Sequence, residues 1–366
     1  MTPAPETTPG LVSVMMPAHD AAAYIRAAVE SVLRQTYPTW ELVVVDDGST
    51  DGTVGQLATP LDPRISVVSQ AAQGESVARN TALEQLRGEF VAFLDADDAW
   101  LPDHLQATVE FLQAHPGVGG VYTDGFYVDG GGRQVASLAR RRRGPFEGDL
   151  FEPLVRASDV FGPPGCVVLR REPIVLRGLR FDPAIVIGPD WDFLTGFAET
   201  ESFGYVDRPT LLYRLHETSV SRRTPAAERR LSLARCREKA IGRERFPSCS
   251  QPTRVYVFYD LLVELLPGDQ ARRASLLRTP EFERLPAVEQ ARLLRLMSAA
   301  DLRRNAADGH TAAWLSRARS LNPADLRNTA LAAAYNFSPA ICRGLLRLGS
   351  ALRRTSTLRL FSKTTV

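Results

Sequence analysis

The first 220 residues alternate short apolar runs with segments whose apolar positions recur every three to four residues. Leu11–Met16, Glu41–Val45, Ile65–Ser69 and Phe90–Leu94 read as buried strands, each short, largely apolar and bounded by Gly, Pro or Asp signals. Between them, AAAYIRAAVESVLRQ (21–35) and Glu75–Leu86 carry helical periodicity, and a further helix runs from Pro102 to about Ala114. Asp20 stands where a carboxylate can accept the free N–H groups of the first helix, and Pro38 ends that helix. Strands alternating with helices predict an α/β fold whose central sheet is mostly parallel and covered on both faces.

Beyond Ala114 the strands shorten. Val118–Tyr122, Phe126–Val128, Gln134–Ser137, Cys166–Leu169 and Thr210–Leu215 read as strands, DGGGR (129–133) as a tight hairpin turn, and Asp190–Thr200 as a helix. From about Pro225 the pattern is helical and rich in Ala, Leu and Arg, as in AVEQARLLRLMSAADLRR (287–304) and AAWLSRARSL (312–321), with no convincing repeat. The expected organisation is a disordered lead over residues 1–10 and an α/β domain over 11–221, divided into halves 11–115 and 116–221. A basic helical region follows over 222–366.

Charge sharpens that boundary. Residues 221–366 hold 27 Lys and Arg against 12 Asp and Glu, which leaves 17 and 30 for residues 1–220 although the whole chain is only +2. No acidic residue occurs from Leu326 onward, which suits docking to an anionic membrane or packing against the acidic half. The Ala- and Leu-faced helices could also supply a homodimer interface. No nucleic acid is expected as partner, because the basic charge comes without a reading motif. The four cysteines lack CxxC spacing and read as buried small side chains. No apolar run approaches the ~20 residues of a membrane span, and MTPAPETTPG lacks the basic and apolar regions of a leader. A cytoplasmic protein is expected, with any membrane contact peripheral and at the inner face.

In an open parallel sheet, ligands bind beyond the carboxyl ends of the strands. Here those ends read Pro17-Ala18-His19-Asp20, Asp46-Asp47-Gly48-Ser49-Thr50-Asp51 and Asp95-Ala96-Asp97-Asp98. Two carboxylates one residue apart at a strand end can share Mg²⁺ or Mn²⁺, which take oxygen ligands and complete their shells with substrate phosphates. Arg140–Arg143 reads as a solvated charge run, with a phosphate-bearing or membrane-surface acceptor as the functional alternative.

VSVMMPAHDAAAYIRAAVESVLRQTYPTWELVVVDDGSTDGT, followed in order by ARNTAL, GEFVAFLDADDAWLPDHL, GPDWDFL and YRLHETSVS, resembles the family 2 glycosyltransferases, inverting enzymes of the GT-A fold. The resemblance covers roughly residues 10–221. It implies a nucleotide-sugar donor, UDP-linked before other bases, and a hydroxyl acceptor such as a glycan, a lipid-linked sugar or a small molecule. Carried over by position, it places Pro17, His19, Asp47 and Arg79 in the nucleoside pocket, and Asp95 and Ala96 near ribose and metal. Asp97 then binds the metal, Asp98 supports it and His216 completes it; Ser219 and Ser221 could donate to phosphate oxygens. Asp190 is the implied base, with Asp192 as the alternative. Two positions depart from the family pattern: His19 stands where most relatives have Tyr, and Pro189 where they have Glu. A nucleotidyltransferase would need similar parts, but PAHDAAAY lacks its glycine- and basic-rich loop. An inactive scaffold binding partners through its helical tail would not need Asp95, Asp97 and Asp190.

Overall fold

The computed structural model describes residues 6–57, 62–266, 268, 270–304, 309–340, 342, 343 and 346. They form two compact units, the first ending at Ser248 and the second beginning at Cys249.

In the first unit, strand β1 (Thr8–Ala18) leads to helix α1 (Ile25–Leu33), then β2 (Trp40–Asp47), β3 (Ile65–Gln70), α2 (Glu75–Gln85) and β4 (Gly88–Phe93). These four strands lie in the order β3-β2-β1-β4, all parallel. All eight residues of β2 are buried, as expected of a strand covered on both faces. The one carboxylate low in β2, Glu41, is satisfied by the Ser13 hydroxyl at 2.5 Å and by the Arg87 guanidinium at 2.6 Å. β1 starts before residue 11: Thr8 donates to the Arg87 carbonyl, and the Gly10 N–H donates to Glu89 at 2.8 Å. The disordered lead expected over residues 1–10 therefore does not extend to Thr8–Gly10, while residues 1–5 lie outside the described ones.

The second half departs from a parallel pattern. After β5 (Ala99–Trp100) and α3 (His104–Ala114) come β6 (Gly120–Val128), β7 (Gln134–Ser137), α4 (Phe151–Arg156), β8 (Val167–Arg170), α5 (Arg171–Leu176), α6 (Pro189–Phe197) and β9 (Phe203–Arg214). The sheet continues β4-β8-β6-β9-β5, with β7 hung on β6. β8 runs antiparallel to both β4 and β6, so the sheet is mixed beyond β4. The β6–β7 turn is the glycine hairpin read from DGGGR, with Gly132 at φ +83. Arg142 corrects the reading of Arg140–Arg143 as a solvated run. Its side chain is 2% exposed, lies over the Tyr122 and Tyr205 rings and donates to the Thr123 carbonyl and the Tyr205 hydroxyl. Arg143 pairs with Asp159 at 2.6 Å.

Helices α7 (Val220–Arg223) and α8 (Ala226–Ile241) complete the first unit, although they lie past the charge boundary near 221. The second unit is helical: α9 (Gln251–Glu264), α10 (Gln270–Leu276), α11 (Pro280–Glu283), α12 (Ala287–Arg304), α13 (Gly309–Leu321) and α14 (Leu326–Phe337). Among the described residues, no helix is long and apolar enough to cross a membrane. All four cysteines are buried, and none is in a disulfide.

Candidate active site

The ends of β1 and β2 are laced together. Asp20, expected to cap α1, does not: the helix starts at Ile25, and Asp20 sits in the left-handed region at φ +47 with its carboxylate accepting from the Thr50 N–H at 2.8 Å. The Ala21 and Ala22 N–H groups donate to Thr53 and Asp51. The His19 ring Nδ1 lies 2.8 Å from the Asp47 carbonyl, and half of the imidazole is exposed. Asp47 itself is buried, and its carboxylate accepts three hydrogen bonds, from Gln70 Nε2, the Gln73 N–H and the Gly74 N–H, at 2.7–2.9 Å. A carboxylate has about four acceptor sites, so one remains for a ligand. Pro17 and Ala96 are both buried at the ends of their strands.

Arg79 differs most from its expected place. Its side chain is 2% exposed, beneath two carboxylates that share its Nη2: Glu75 at 2.6 Å and Asp95 at 2.8 Å. It therefore holds Asp95 in position rather than lining an open pocket. Ser76 and Asn80, on the same helix, fasten the incoming chain: Ser76 donates to the Ile185 carbonyl, and Asn80 exchanges hydrogen bonds with Phe181 at 2.8 and 2.9 Å. The segment then turns at Gly188 (φ +80) into α6, which brings Asp190 into the field of Arg79 and Asp95. Burial raises the Asp190 carboxyl above its ordinary range; Arg79 opposes the shift and Asp95 adds to it. Glu75 is pushed up to about 7, by burial first, with Arg79 opposing and Asp95, Asp190 and Asp97 adding. Glu75 and Asn80 escaped the sequence reading as site residues; the only signal was their place on the helix of Arg79, Glu75 one turn before it and Asn80 directly after it.

Asp97 and His216 meet directly: Oδ2 and Nε2 are 2.8 Å apart, while His216 Nδ1 lies 2.7 Å from the Thr218 hydroxyl. That hydroxyl can donate or accept, so it supports either tautomer. The His216 ring also lies 4.8 Å from the Tyr24 ring. Asp98 is buried behind them; one oxygen accepts the Arg214 N–H at 2.8 Å, and burial with the neighbouring Asp97 and Asp95 raises its carboxyl well above the usual range. Asp98 thus anchors the end of β9. Arg214 Nε donates to the Asp97 carbonyl at 2.9 Å, and its Nη1 donates to the hairpin carbonyls of Asp129 and Gly130.

Asp192 is not brought into this cluster. Its side chain is 3% exposed and is held by Lys239 at 2.5 Å and Arg243 at 3.3 Å, both from the α8 side of α6. It is a buried ion-pair partner, and its expected alternative role as base has no geometric support. Ser219 donates to the His216 carbonyl at 3.0 Å.

Five carboxyl groups, Glu75, Asp95, Asp97, Asp98 and Asp190, thus gather around two guanidinium groups, Arg79 and Arg214. Such a site repels a diphosphate unless a cation or protons offset the charge. Adjacent ligands about 2.1 Å from an octahedral Mg²⁺ or Mn²⁺ stand about 3 Å apart, so the Asp97–His216 spacing fits such an ion. Among the described residues, no group of three or more His, Cys, Asp or Glu is arranged to hold a metal by itself.

Residues 13–175 match the Glycosyl transferase family 2 profile. The chain is 49% identical over 105 residues to the Bacillus subtilis glycosyltransferase TuaG, named for teichuronic acid biosynthesis, a match covering 28% of this chain and 42% of TuaG. It is 43% identical over 103 residues to the Escherichia coli UDP-Glc:alpha-D-GlcNAc-diphosphoundecaprenol beta-1,3-glucosyltransferase WfgD, covering 28% and 41%. The chain thus spans less than half the length of these relatives. S. aureus TarS 1-349 in complex with UDP-GlcNAc superposes with a TM-score of 0.54 at 17% identity, over 92% of each chain. The Pyrobaculum calidifontis mannosyltransferase PcManGT, in complex with GDP-Man and Mn2+, gives 0.51 at 21% identity over 97% of this chain and 91% of that one. These structures share the fold.

Proposed function

The chain carries a glycosyl transferase family 2 domain of the GT-A fold, and from that premise we propose that it is a metal-dependent inverting glycosyltransferase using a UDP-sugar. The carrying observation is the crowding of five carboxyl groups around Arg79 and Arg214, with Asp97 and His216 2.8 Å apart at its edge. Mg²⁺ or Mn²⁺ held by Asp97 and His216 would supply a Lewis acid for the departing diphosphate. Asp95, fixed by Arg79, faces the same space and suits the ribose or the ion's water shell. Asp47 keeps one acceptor site for the base, and His19 lies beside it.

Asp190 takes the proton of the acceptor hydroxyl as its oxygen attacks the anomeric carbon. The bond from that carbon to the phosphate oxygen breaks, the electron pair leaves with the nucleoside diphosphate, and the configuration inverts. The raised Asp190 carboxyl is a stronger base than an ordinary carboxylate, while the Arg79 guanidinium favours its ionised form. WfgD, by its name, acts on a diphosphoundecaprenol-linked sugar, which favours a lipid-linked sugar as acceptor here.

The test is transfer from UDP-glucose, UDP-GlcNAc and GDP-mannose to sugar diphosphate lipids, with Mn²⁺ and with EDTA, following nucleotide release and the anomeric configuration of the product by NMR. The proposal expects UDP release with inversion that EDTA abolishes. Retention of configuration, release of pyrophosphate instead of UDP, or full activity in EDTA contradicts it.

A further inference from the structure

The two carboxyl groups that share Arg79 are not equally committed to the protein. Arg79 Nη2 serves Glu75 Oε1 at 2.6 Å and Asp95 Oδ1 at 2.8 Å, while the guanidinium, 2% exposed, lies 5.3 Å from the Phe181 ring. The Glu75 side chain is 33% exposed, and among the described residues its other oxygen, Oε2, has no hydrogen-bond partner. Glu75 opens α2 directly after Gly74, whose N–H is held by Asp47 at 2.7 Å. Its carboxyl group therefore enters the cleft from a fixed point, with one oxygen anchored and one free.

Its neighbours say what that oxygen can meet. Glu75 lies in the field of Asp95, Asp190 and Asp97. On the function proposed above, on which this inference rests, the diphosphate sits with the ion at Asp97 and His216. Asp190 meets the acceptor hydroxyl on the opposite side of the anomeric carbon, so the transferred sugar lies between the two, and Glu75 stands in the field of both. Helix α6 offers no second carboxylate to that space, since Pro189 precedes Asp190 and Asp192 is held by Lys239 and Arg243. The charge of a divalent ion is matched by the diphosphate, which leaves the sugar facing Glu75, Asp95 and Asp190. Arg79 is buried beneath these carboxyl groups, so the guanidinium beside Glu75 is closed to a carboxylate of the ligand. Arg214 belongs to the Asp97 side, where it donates to the carbonyls of Asp97, Asp129 and Gly130. Sugar hydroxyls can donate to a free carboxylate oxygen, whereas a carboxylate on the sugar would bring a like charge into the cluster.

We propose that Glu75 recognises the donor sugar: its free oxygen accepts a hydrogen bond from a sugar hydroxyl, and its charge restricts the donor to neutral sugars against hexuronic acids. Calorimetry on the full chain with Mn²⁺ and no acceptor compares UDP, UDP-glucose and UDP-glucuronic acid. It is run at about pH 8, where the Glu75 carboxyl is ionised. Wild type is expected to bind UDP-glucose at least ~10-fold more tightly than UDP-glucuronic acid. Glu75→Gln keeps an acceptor oxygen and loses the charge, so this preference should fall about tenfold while UDP binding stays within about threefold of wild type. Glu75→Ala also loses the acceptor and should weaken UDP-glucose about tenfold relative to UDP. Retained UDP binding by the Gln variant shows that its site is folded even where the Ala variant is not. A residue that only neutralised Arg79 would change UDP and both UDP-sugars alike, and that outcome overturns the proposal. Equal binding of the two UDP-sugars by wild type, or an unchanged preference in Glu75→Gln, does so too. Failure of UDP itself to bind wild type is a different result: it removes the underlying function and the proposal with it.

Discussion

Asp190 and Asp192 are two residues apart in the first turn of α6, about 200° around the helix, and this separation sends them to different tasks. Asp190 faces Arg79 and Asp95; Asp192 is locked between Lys239 and Arg243. Asp190→Asn should lower kcat by about 10²–10⁴ and leave the UDP dissociation constant unchanged in calorimetry. Asp192→Ala should instead leave Lys239 with Asp182 and Arg243 with Glu199 as their remaining carboxylate partners. Removing one partner of a buried pair costs about 3–5 kcal/mol, and the 35% exposure of Lys239 places the loss in urea unfolding near the lower end. The pH dependence has a definite sign. Asp190 works ionised, its carboxyl is raised by burial, and Arg79 draws it back down. Arg79→Met should therefore move the acid limb of the kcat–pH profile to higher pH; an unmoved limb would separate Asp190 from the titration. The two aspartates were named from the sequence, but their division of labour was not readable there, because the partners Lys239 and Arg243 lie 47 and 51 residues away.

At the scale of elements, the strands of the nucleotide half were legible because each is a short apolar run bounded by Gly, Pro or Asp. The direction of β8 was not, since VVLR reads alike in either sense and only its pairing with β4 and β6 makes it antiparallel. The cap expected of Asp20 failed for a related reason: a residue at φ +47 that bonds to the β2 loop cannot also cap α1. Arg142 looked like part of a solvated run until Tyr122 and Tyr205 covered it. The loop after β2 makes a further prediction. Gly48 sits at φ +70, and a Cβ there would lie 2.7 Å from the Ala72 backbone nitrogen. Gly48→Ala should push that loop off residues 72–74, disturb the Asp47 bonds to Gln73 and Gly74, and weaken UDP binding about tenfold or more, at a stability cost of about 1–3 kcal/mol. Nucleotide titration and thermal melting of the same variant separate the two effects.

At the scale of the molecule, the charge split near residue 221 marked two parts, yet the first compact unit runs on to Ser248 because α8 supplies Lys239 to α6, with Arg243 just beyond it. Every candidate site residue lies before that point. A fragment of residues 1–248 is therefore expected to bind UDP with the affinity of the full chain, whereas one ending at 221 should fail to fold, since it leaves Asp192 buried without its cations. The most direct test of the account is calorimetric titration of UDP into the full chain with Mn²⁺, then with EDTA, and then into Asp97→Asn with Mn²⁺. The account predicts binding that needs both the metal and the Asp97 carboxylate. UDP binding that is unchanged by EDTA and by Asp97→Asn would contradict it.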